Sequence, residues 1–165
     1  MSSEIKIRPL LTIEDQSMGR AVFDHTWAMD AGTEITPNLL QAMVHSGAYL
    51  SGAFIDKKCV GAAFAFPATT EGLHLHSHMT AVLDDYRDQG IGYALKIDQW
   101  HWAKKNNYAG ITWTFDPLVA RNAKLNLIKL GVDISAYYSN FYGDMPDALN
   151  AGDESDRVMA SWKVA

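Results

Sequence analysis

The sequence predicts an α/β protein with a mixed sheet of about seven strands and helices on both faces. Three observations predict it. Apolar residues switch between two-residue and 3.6-residue spacing along the chain, capping residues and glycines mark the switches, and no repeat, charge block or low-complexity linker interrupts the pattern. At 165 residues, 48% hydrophobic and 20% charged, the chain reads as a single domain over residues 1–165. It is long enough to bury most of its apolar surface without covalent staples.

Ile5, Ile7 and Leu10 open a strand. Thr12 and Asp15 then read as the N-cap and third position of a helix that carries Met18, Ala21 and Val22 on one side. Thr36 followed by Pro37 starts a second helix, because proline at the first helical position gives up an amide that would be unpaired anyway. Leu40, Met43 and Val44 give that helix core spacing. Ala48 to Ile55 and Cys59 to Phe66 are β-prone, with Asp56, Lys57 and Lys58 as the turn of a hairpin, and Gly72 to Leu83 is a third strand. A helix over Gly90 to Asn106, a strand over Gly110 to Asp116 and a helix over Arg121 to Leu130, closed by Gly131, come next. Two last strands, Ile134 to Tyr142 and Arg157 to Val164, flank a loop holding Gly143, Pro146, Asn150 and Gly152. The order is β-α-α-β-β-β-α-β-α-β-β.

Fourteen Lys and Arg against nineteen Asp and Glu give a net charge of −5. That balance lacks the broad basic footprint that binding by counterion release needs, so neither nucleic acid nor an anionic membrane is an expected partner. The single cysteine, Cys59, excludes an internal disulfide framework, and the opening MSSEIKIRPLL has no apolar secretory core. The longest apolar run, Cys59 to Pro67, is far shorter than the roughly 18 residues of a membrane span. A reducing, cytoplasmic setting is expected. Cys59 itself, on a strand just after a turn, is read as a packing residue and not as a nucleophile.

The most informative stretch is Asp85 to Leu95, which joins a strand to a helix through Gly90 and Gly92. Without Cβ atoms there, the main chain can approach a ligand closely. The first amides of the following helix have no internal partner, so an anion is favoured. Arg87 adds a positive fork. The stretch is not a P-loop, since no Gly-Lys-Ser/Thr comes after it, and bulky Tyr93 and Leu95 fill the place of a third dinucleotide-binding glycine. A Gly-x-Gly junction can also be no more than a tight turn.

Arg87-x-x-Gly90-x-Gly92 after a strand resembles the pyrophosphate-binding signature of the GNAT superfamily of acyl-CoA-dependent N-acyltransferases. Lys129-Leu130-Gly131-Val132 is similar to the Lys-Leu-Gly-Phe that commonly ends the family's later helix, and the element order agrees over essentially the whole chain. The resemblance implies an acetyl-CoA or other acyl-CoA co-substrate and no metal. Its diphosphate would be held by the amides from Gln89 through Gly90, Ile91, Gly92 and Tyr93 to Ala94, near Arg87 and Asp88. Val82 and Leu83 would pair their backbone with the pantetheine arm, and Asn122 would add a cofactor contact. In the family the strand before the loop and the strand after the helix splay apart, and the thioester lies in that opening.

Acyl transfer to nitrogen needs a neutral amine, so a base must take a proton. His74, His76 and His78 alternate along the predicted strand and share a face, with an ordinary pKa of about 6.5 that suits the task. His78, four residues before Val82, is the first candidate base, and His76 the second if the register is bulged. Histidines on a half-buried strand also serve simply in packing. His-x-His can supply two metal ligands, but no nearby carboxylate or cysteine completes a set in sequence. Many family members protonate the leaving thiol with a tyrosine two residues before the Lys-Leu-Gly; that position is Leu127 here. Tyr137, Tyr138, a histidine or water are left as substitutes.

For the acceptor, Trp113, Asp116, Arg121, Asn126, Tyr138 and Arg157 are candidate contacts at strand ends and a helix start. Asp116 and Asn122 read equally well as caps. Trp-Thr-Phe-Asp-Pro-Leu, then Arg-Asn-Ala and Asn-Phe-Tyr-Gly, resembles a subgroup of sequence-predicted acyltransferases, some associated with N-acylation of amino acids. Arg121 or Arg157 would then clamp an α-carboxylate. The expected activity is transfer of acetyl or another short acyl group to a small-molecule amine. A non-catalytic acyl-CoA-binding module is the alternative, and a protein acetyltransferase or a metal-dependent enzyme ranks lower. Subgroup members can extend beyond the last strand, so the expectation is that part of the acceptor site is either absent here or supplied by the partner subunit of a homodimer.

Overall fold

The computed structural model describes residues 4–28, 32–142 and 156–164. Both expected caps form: Thr12 Oγ1 accepts the amide of Asp15 at 3.0 Å, and Thr36 Oγ1 accepts that of Leu39 at 3.3 Å. They begin α1 (Ile13–Thr26) and α2 (Pro37–His45), which come after β1 (Ile5–Pro9). The inward face of α1 is Gln16, Gly19, Val22 and Phe23, whereas Ala21, expected inside, is exposed. One step of 100° separates Ala21 from the buried stripe.

Next come β2 (Tyr49–Ile55), β3 (Lys58–Ala68), β4 (His74–Val82), α3 (Ile91–Lys105), β5 (Gly110–Phe115), α4 (Ala120–Ala123), β6 (Asp133–Tyr138) and β7 (Arg157–Lys163). Lys58 pairs with Ile55, so the first hairpin turns on Asp56 and Lys57 alone, with Asp56 left-handed at φ 54°. The seven strands form one sheet in the order β1-β2-β3-β4-β5-β7-β6, antiparallel except for the β4–β5 pair. The fold class and element order expected from the sequence are those observed.

Two differences bear on the site. The helix expected over Arg121 to Leu130 is α-helical only through Ala123 and widens into a π turn over Lys124–Lys129, where the Leu130 amide bonds Leu125 O at 2.9 Å. The wider turn keeps Leu125, Asn126 and Leu130 turned inward before Gly131, left-handed at φ 65°, ends the segment. The strand expected to run to Tyr142 stops at Tyr138, because the chain turns through Asn140, also left-handed, whose amide bonds Asp156 Oδ1 at 2.8 Å. Gly143, Pro146, Asn150, Gly152 and Ser155 lie outside the described residues.

The sheet separates two cores. Leu10, Val22, Phe23, Leu40, Leu50, Phe64 and Met79 pack on the α1/α2 face, and Val60, Ala63, Leu75, Leu95, Ile111 and Trp113 on the α3 face. Gly61 permits close approach of α3: a Cβ there would meet Ile91 Cγ2 at 3.1 Å, Ala81 O at 3.2 Å and Leu95 Cδ1 at 3.2 Å. Close packing of α3 on β3 fixes where its N-terminus meets the sheet. No helix among the described residues is long and apolar enough to cross a membrane.

Candidate active site

The β4–β5 pair holds only at Leu75–Ile111 and His76–Thr112. Beyond those two rungs the strands run on without pairing, so the sheet has a fork whose sides are Ser77 to Val82 and Trp113 to Phe115. At the wide end the chain makes a 3₁₀ turn over Asp84–Tyr86, passes through left-handed Asp88 (φ 62°) and Gly90 (φ 79°), and enters α3. Unlike α1 and α2, α3 has no side-chain cap. Its first intrahelical bond is from the Ala94 amide to Gly90 O at 3.0 Å, which leaves the amides of Ile91, Gly92 and Tyr93 without a helical partner. The Ile91 side chain is buried and anchors the turn, so only its backbone can meet a ligand.

Around this N-terminus the sequence-expected residues fall unevenly. Gly90, Tyr93 and Lys129 line a depression of about 320 Å³; Lys129, which sequence reading passed over as part of a motif, brings a cation to it from the π turn. Arg87 is held to Asp84 at 2.8 Å. Gln89 is exposed beside the turn, Ala94 is half-buried in the first turn of α3, and Asn122 is exposed on α4. Leu83 is less open than expected: its amide donates to Val60 O at 2.8 Å and its carbonyl already accepts from Tyr86 at 2.9 Å, which leaves a pantetheine arm only the second lone pair of that carbonyl. By the alternation of an antiparallel ladder, Thr80 and Val82 then turn their amides and carbonyls away from β3, toward the open fork.

The histidines lie at the narrow end. β4 gains one residue between Ser77, opposite Ala65, and Met79, opposite Phe64, which makes His78 the extra residue of a bulge. Phe66 lies between the imidazoles, 5.5 Å from His76 and 5.8 Å from His78 by ring centroids, so both face the α1/α2 side as the alternation implied. The bulge reverses the parity of the remainder of β4, so Thr80 and Val82 face α3 instead. His76 Nδ1 lies 3.1 Å from Thr112 Oγ1, and the His74 ring bonds Gly72 O at 2.9 Å. Burial, reinforced by His78, His74 and Lys96, pushes His76 from 6.5 down to about 4. Burial also lowers His78. Both are neutral at pH 7, with a lone pair free to take a proton, and His78 has the simpler environment for doing so.

The His76 shift also makes stability depend on pH. The unfolded chain takes up a proton on His76 near 6.5 and the folded chain only near about 4, so stability present above 6.5 is lost as the pH falls through this window. The thermal midpoint is expected to drop on acidification across it, and to drop less in His76→Gln. A slope unchanged by the substitution would contradict the assignment.

Of the acceptor candidates, Arg157 is linked to His78 through Tyr142. Its guanidinium lies 5.6 Å from the Tyr142 ring centroid, Tyr142 OH is 3.1 Å from Thr114 Oγ1, and the Tyr142 ring is 6.5 Å from His78. Tyr142 thus joins β7 to the bulge. Tyr138 instead packs on Phe141 at 5.0 Å. Arg121 is exposed on α4, and Asn126 is buried in the π turn. Asp116 Oδ1 accepts the Leu118 amide at 2.9 Å and so shapes the turn before α4. Trp113 is 5% exposed on the opposite, α3 side, edge-on to Trp162 at 6.0 Å. Leu127 is exposed on the π turn. Cys59 bonds Gly61 O at 3.3 Å, and burial raises its thiol to about 11. Among the described residues, no three His, Cys, Asp or Glu side chains converge as a metal-ligand set.

A helix start with free amides, a parted pair of parallel strands and neutral histidines at the apex describe an acyl-transfer fold. The model of the Acetyltransferase (GNAT) family matches residues 16–131, and the chain belongs to that family. It is therefore an acyltransferase that uses acyl-CoA, acetyl-CoA being the family's donor. A GNAT-family acetyltransferase from Streptococcus pneumoniae superposes with a TM-score of 0.74 at 13% identity, over 98% of this chain and all (100%) of that one. The ribosomal-protein-S18-alanine N-acetyltransferase of Escherichia coli gives 0.73 at 16% identity, over 98% and 95%. Arabidopsis thaliana Naa50, solved with the bisubstrate analogue CoA-Ac-MVNAL, gives 0.71 at 18%, over 95% and 97%. At these identities the likeness is one of fold. No curated protein sequence matches the chain.

Proposed function

We propose that the protein transfers an acetyl or other short acyl group from acyl-CoA directly to the amine of a small molecule carrying a carboxylate, an amino acid being the simplest example. The fork carries this reading: it joins an uncapped helix start at one end to two neutral imidazoles and an arginine at the other. The amides of Ile91, Gly92 and Tyr93 hold the diphosphate, with Lys129 and Arg87 beside it, and the open edge of Thr80 and Val82 pairs with the pantetheine arm. His78 takes the proton of the attacking amine. The backbone freed by its bulge supplies an amide to the oxyanion that forms as nitrogen adds to the carbonyl carbon. Arg157, steadied on Tyr142, clamps the acceptor carboxylate.

Release of CoA thiol from acetyl-CoA, followed against a panel of amino acids, polyamines and short peptides, tests this reading. Amine-dependent turnover favouring amino acids supports it; saturable acetyl-CoA binding without turnover supports a binding module instead. Arg157→Ala is expected to raise the acceptor KM by about tenfold or more with little change in acetyl-CoA affinity. An unchanged KM would remove Arg157 from the acceptor site.

A further inference from the structure

Among the described residues, Lys96 is the only Lys, Arg, Asp or Glu that is buried, with 4% exposure. It stands on α3 at core spacing with Ile91, Leu95, Gln99 and Ala103. Nζ donates to Ser77 Oγ at 2.9 Å and lies 3.9 Å from the centroid of the Trp113 ring. Ser77 and Trp113 are the first residues past the last β4–β5 rung, one on each strand, so the amine lies under the point where the fork opens. An ammonium has three N–H donors, and one is used here. No carboxylate is within ion-pair distance of it among the described residues.

The surroundings are polar but incompletely satisfied. Gln99, one turn further along α3 and 0% exposed, has no hydrogen-bond partner for either amide atom, and neither has the buried Thr80 hydroxyl on the fork's edge. Native cores seldom leave such groups unpaired, and a buried cation without a counter-ion is strongly disfavoured unless something compensates. Of the elements packed on α3, β1 brings Ile5 and Ile7, β3 brings Val60, Ala63 and Ala65, and β5 brings Ile111 and Phe115 with Trp113, whose ring face attracts the ammonium, but none of these residues brings a carboxylate. The Tyr49 hydroxyl of β2 is bonded to Asp98 at 2.8 Å, and His76 on β4 faces the other side of the sheet.

We propose that Lys96 Nζ is the acid that protonates the sulfur of the departing coenzyme A. The proposal rests on the acyl-transfer reading above, which brings the thioester to this fork. As the C–S bond breaks, its electron pair stays on sulfur and a proton passes from the Lys96 ammonium to it, giving the free thiol and a neutral lysine. The proton displaced from the acceptor nitrogen goes to His78. After the products leave, water returns a proton to Lys96 and removes one from His78, which restores both groups. The anion created on sulfur is thus the missing partner of the buried cation, and Leu127 need contribute nothing. Burial lowers Lys96 to about 7, which matches it to a thiol near ~8.5 far better than an ordinary lysine would be.

The test is Lys96→Met, a substitution of similar length that removes a buried charge and is expected to leave the fold at least as stable. The variant should bind acetyl-CoA within about threefold of wild type yet lose about 10²-fold in kcat, together with the fall in rate that wild type shows above about pH 7. A second readout needs no turnover: the Lys96 side-chain nitrogen resonance should titrate near pH 7 in wild type and shift when coenzyme A binds, and the variant should lack it. Wild-type kcat and pH profile in the variant, or a Lys96 nitrogen resonance that coenzyme A does not shift, overturns the proposal and leaves the acyl-transfer reading standing. A wild-type protein that binds acetyl-CoA but acylates no amine overturns both.

Discussion

Replacing Gly92 with aspartate is expected to abolish acyl-CoA binding while the protein stays folded. Gly92 is the second residue of α3, and a Cβ built there meets nothing nearer than Val82 Cγ2 at 4.0 Å, so the side chain fits. A carboxylate in a first turn also complements the helix dipole by a few tenths of a kcal/mol, so the thermal midpoint should hold or rise. The same carboxylate lies where a diphosphate would meet the amides of Ile91 to Tyr93. It repels that group and competes for its donors, and affinity should fall by at least about 10²-fold if even two charge-assisted bonds are forfeited. Calorimetric titration beside a thermal melt separates the two effects. Retained affinity would mean that the diphosphate lies elsewhere.

His78→Ala should produce the second large effect, on turnover and not on donor binding. The imidazole packs against Phe64, Phe66 and Tyr142 and has no ion-pair partner among the described residues to leave stranded, so truncation costs mainly packing. Loss of a positioned base typically lowers kcat by about 10²–10⁴-fold. Because burial keeps His78 deprotonated below the usual histidine range, the loss should extend from neutral pH down to mildly acid conditions, and high pH should rescue the variant in part by deprotonating the amine in solution. His76→Ala should cost far less in kcat. Equal losses would put the proton transfer on His76 or on water ordered by both.

Much of the fold was legible because local chemistry and tertiary structure agree. Thr12, Thr36 and Gly131 end helices where their backbone preferences say they should, and the alternating histidines do share a face. The features that escaped were decided by partners distant in sequence. The bulge at His78 exists only in the register of β4 against β3, so nothing in His-Leu-His-Ser-His-Met-Thr reveals that Thr80 faces α3. The Leu83 amide looked available, but it is spent on the Val60 carbonyl, a partner no local pattern names. Trp113 was expected as an acceptor contact at a strand end, but it is covered by Trp162 and Lys96. Lys96 was within reach: a lysine and a glutamine set among Ile91, Leu95 and Ala103 at helical spacing place two polar groups on a buried stripe. The position of Tyr142 over the bulge was not, since only the turn at Asn140 carries it back there.

The most direct test is the change in backbone amide resonances on titration with coenzyme A. The glycine amides of Gly90 and Gly92, with those of Ile91, Tyr93, Thr80 and Val82, are expected to shift together and saturate at one stoichiometric site. Saturable binding that moves amides elsewhere and leaves those of the α3 turn and the β4 edge unmoved would contradict the assignment of the fork as the acyl-CoA site.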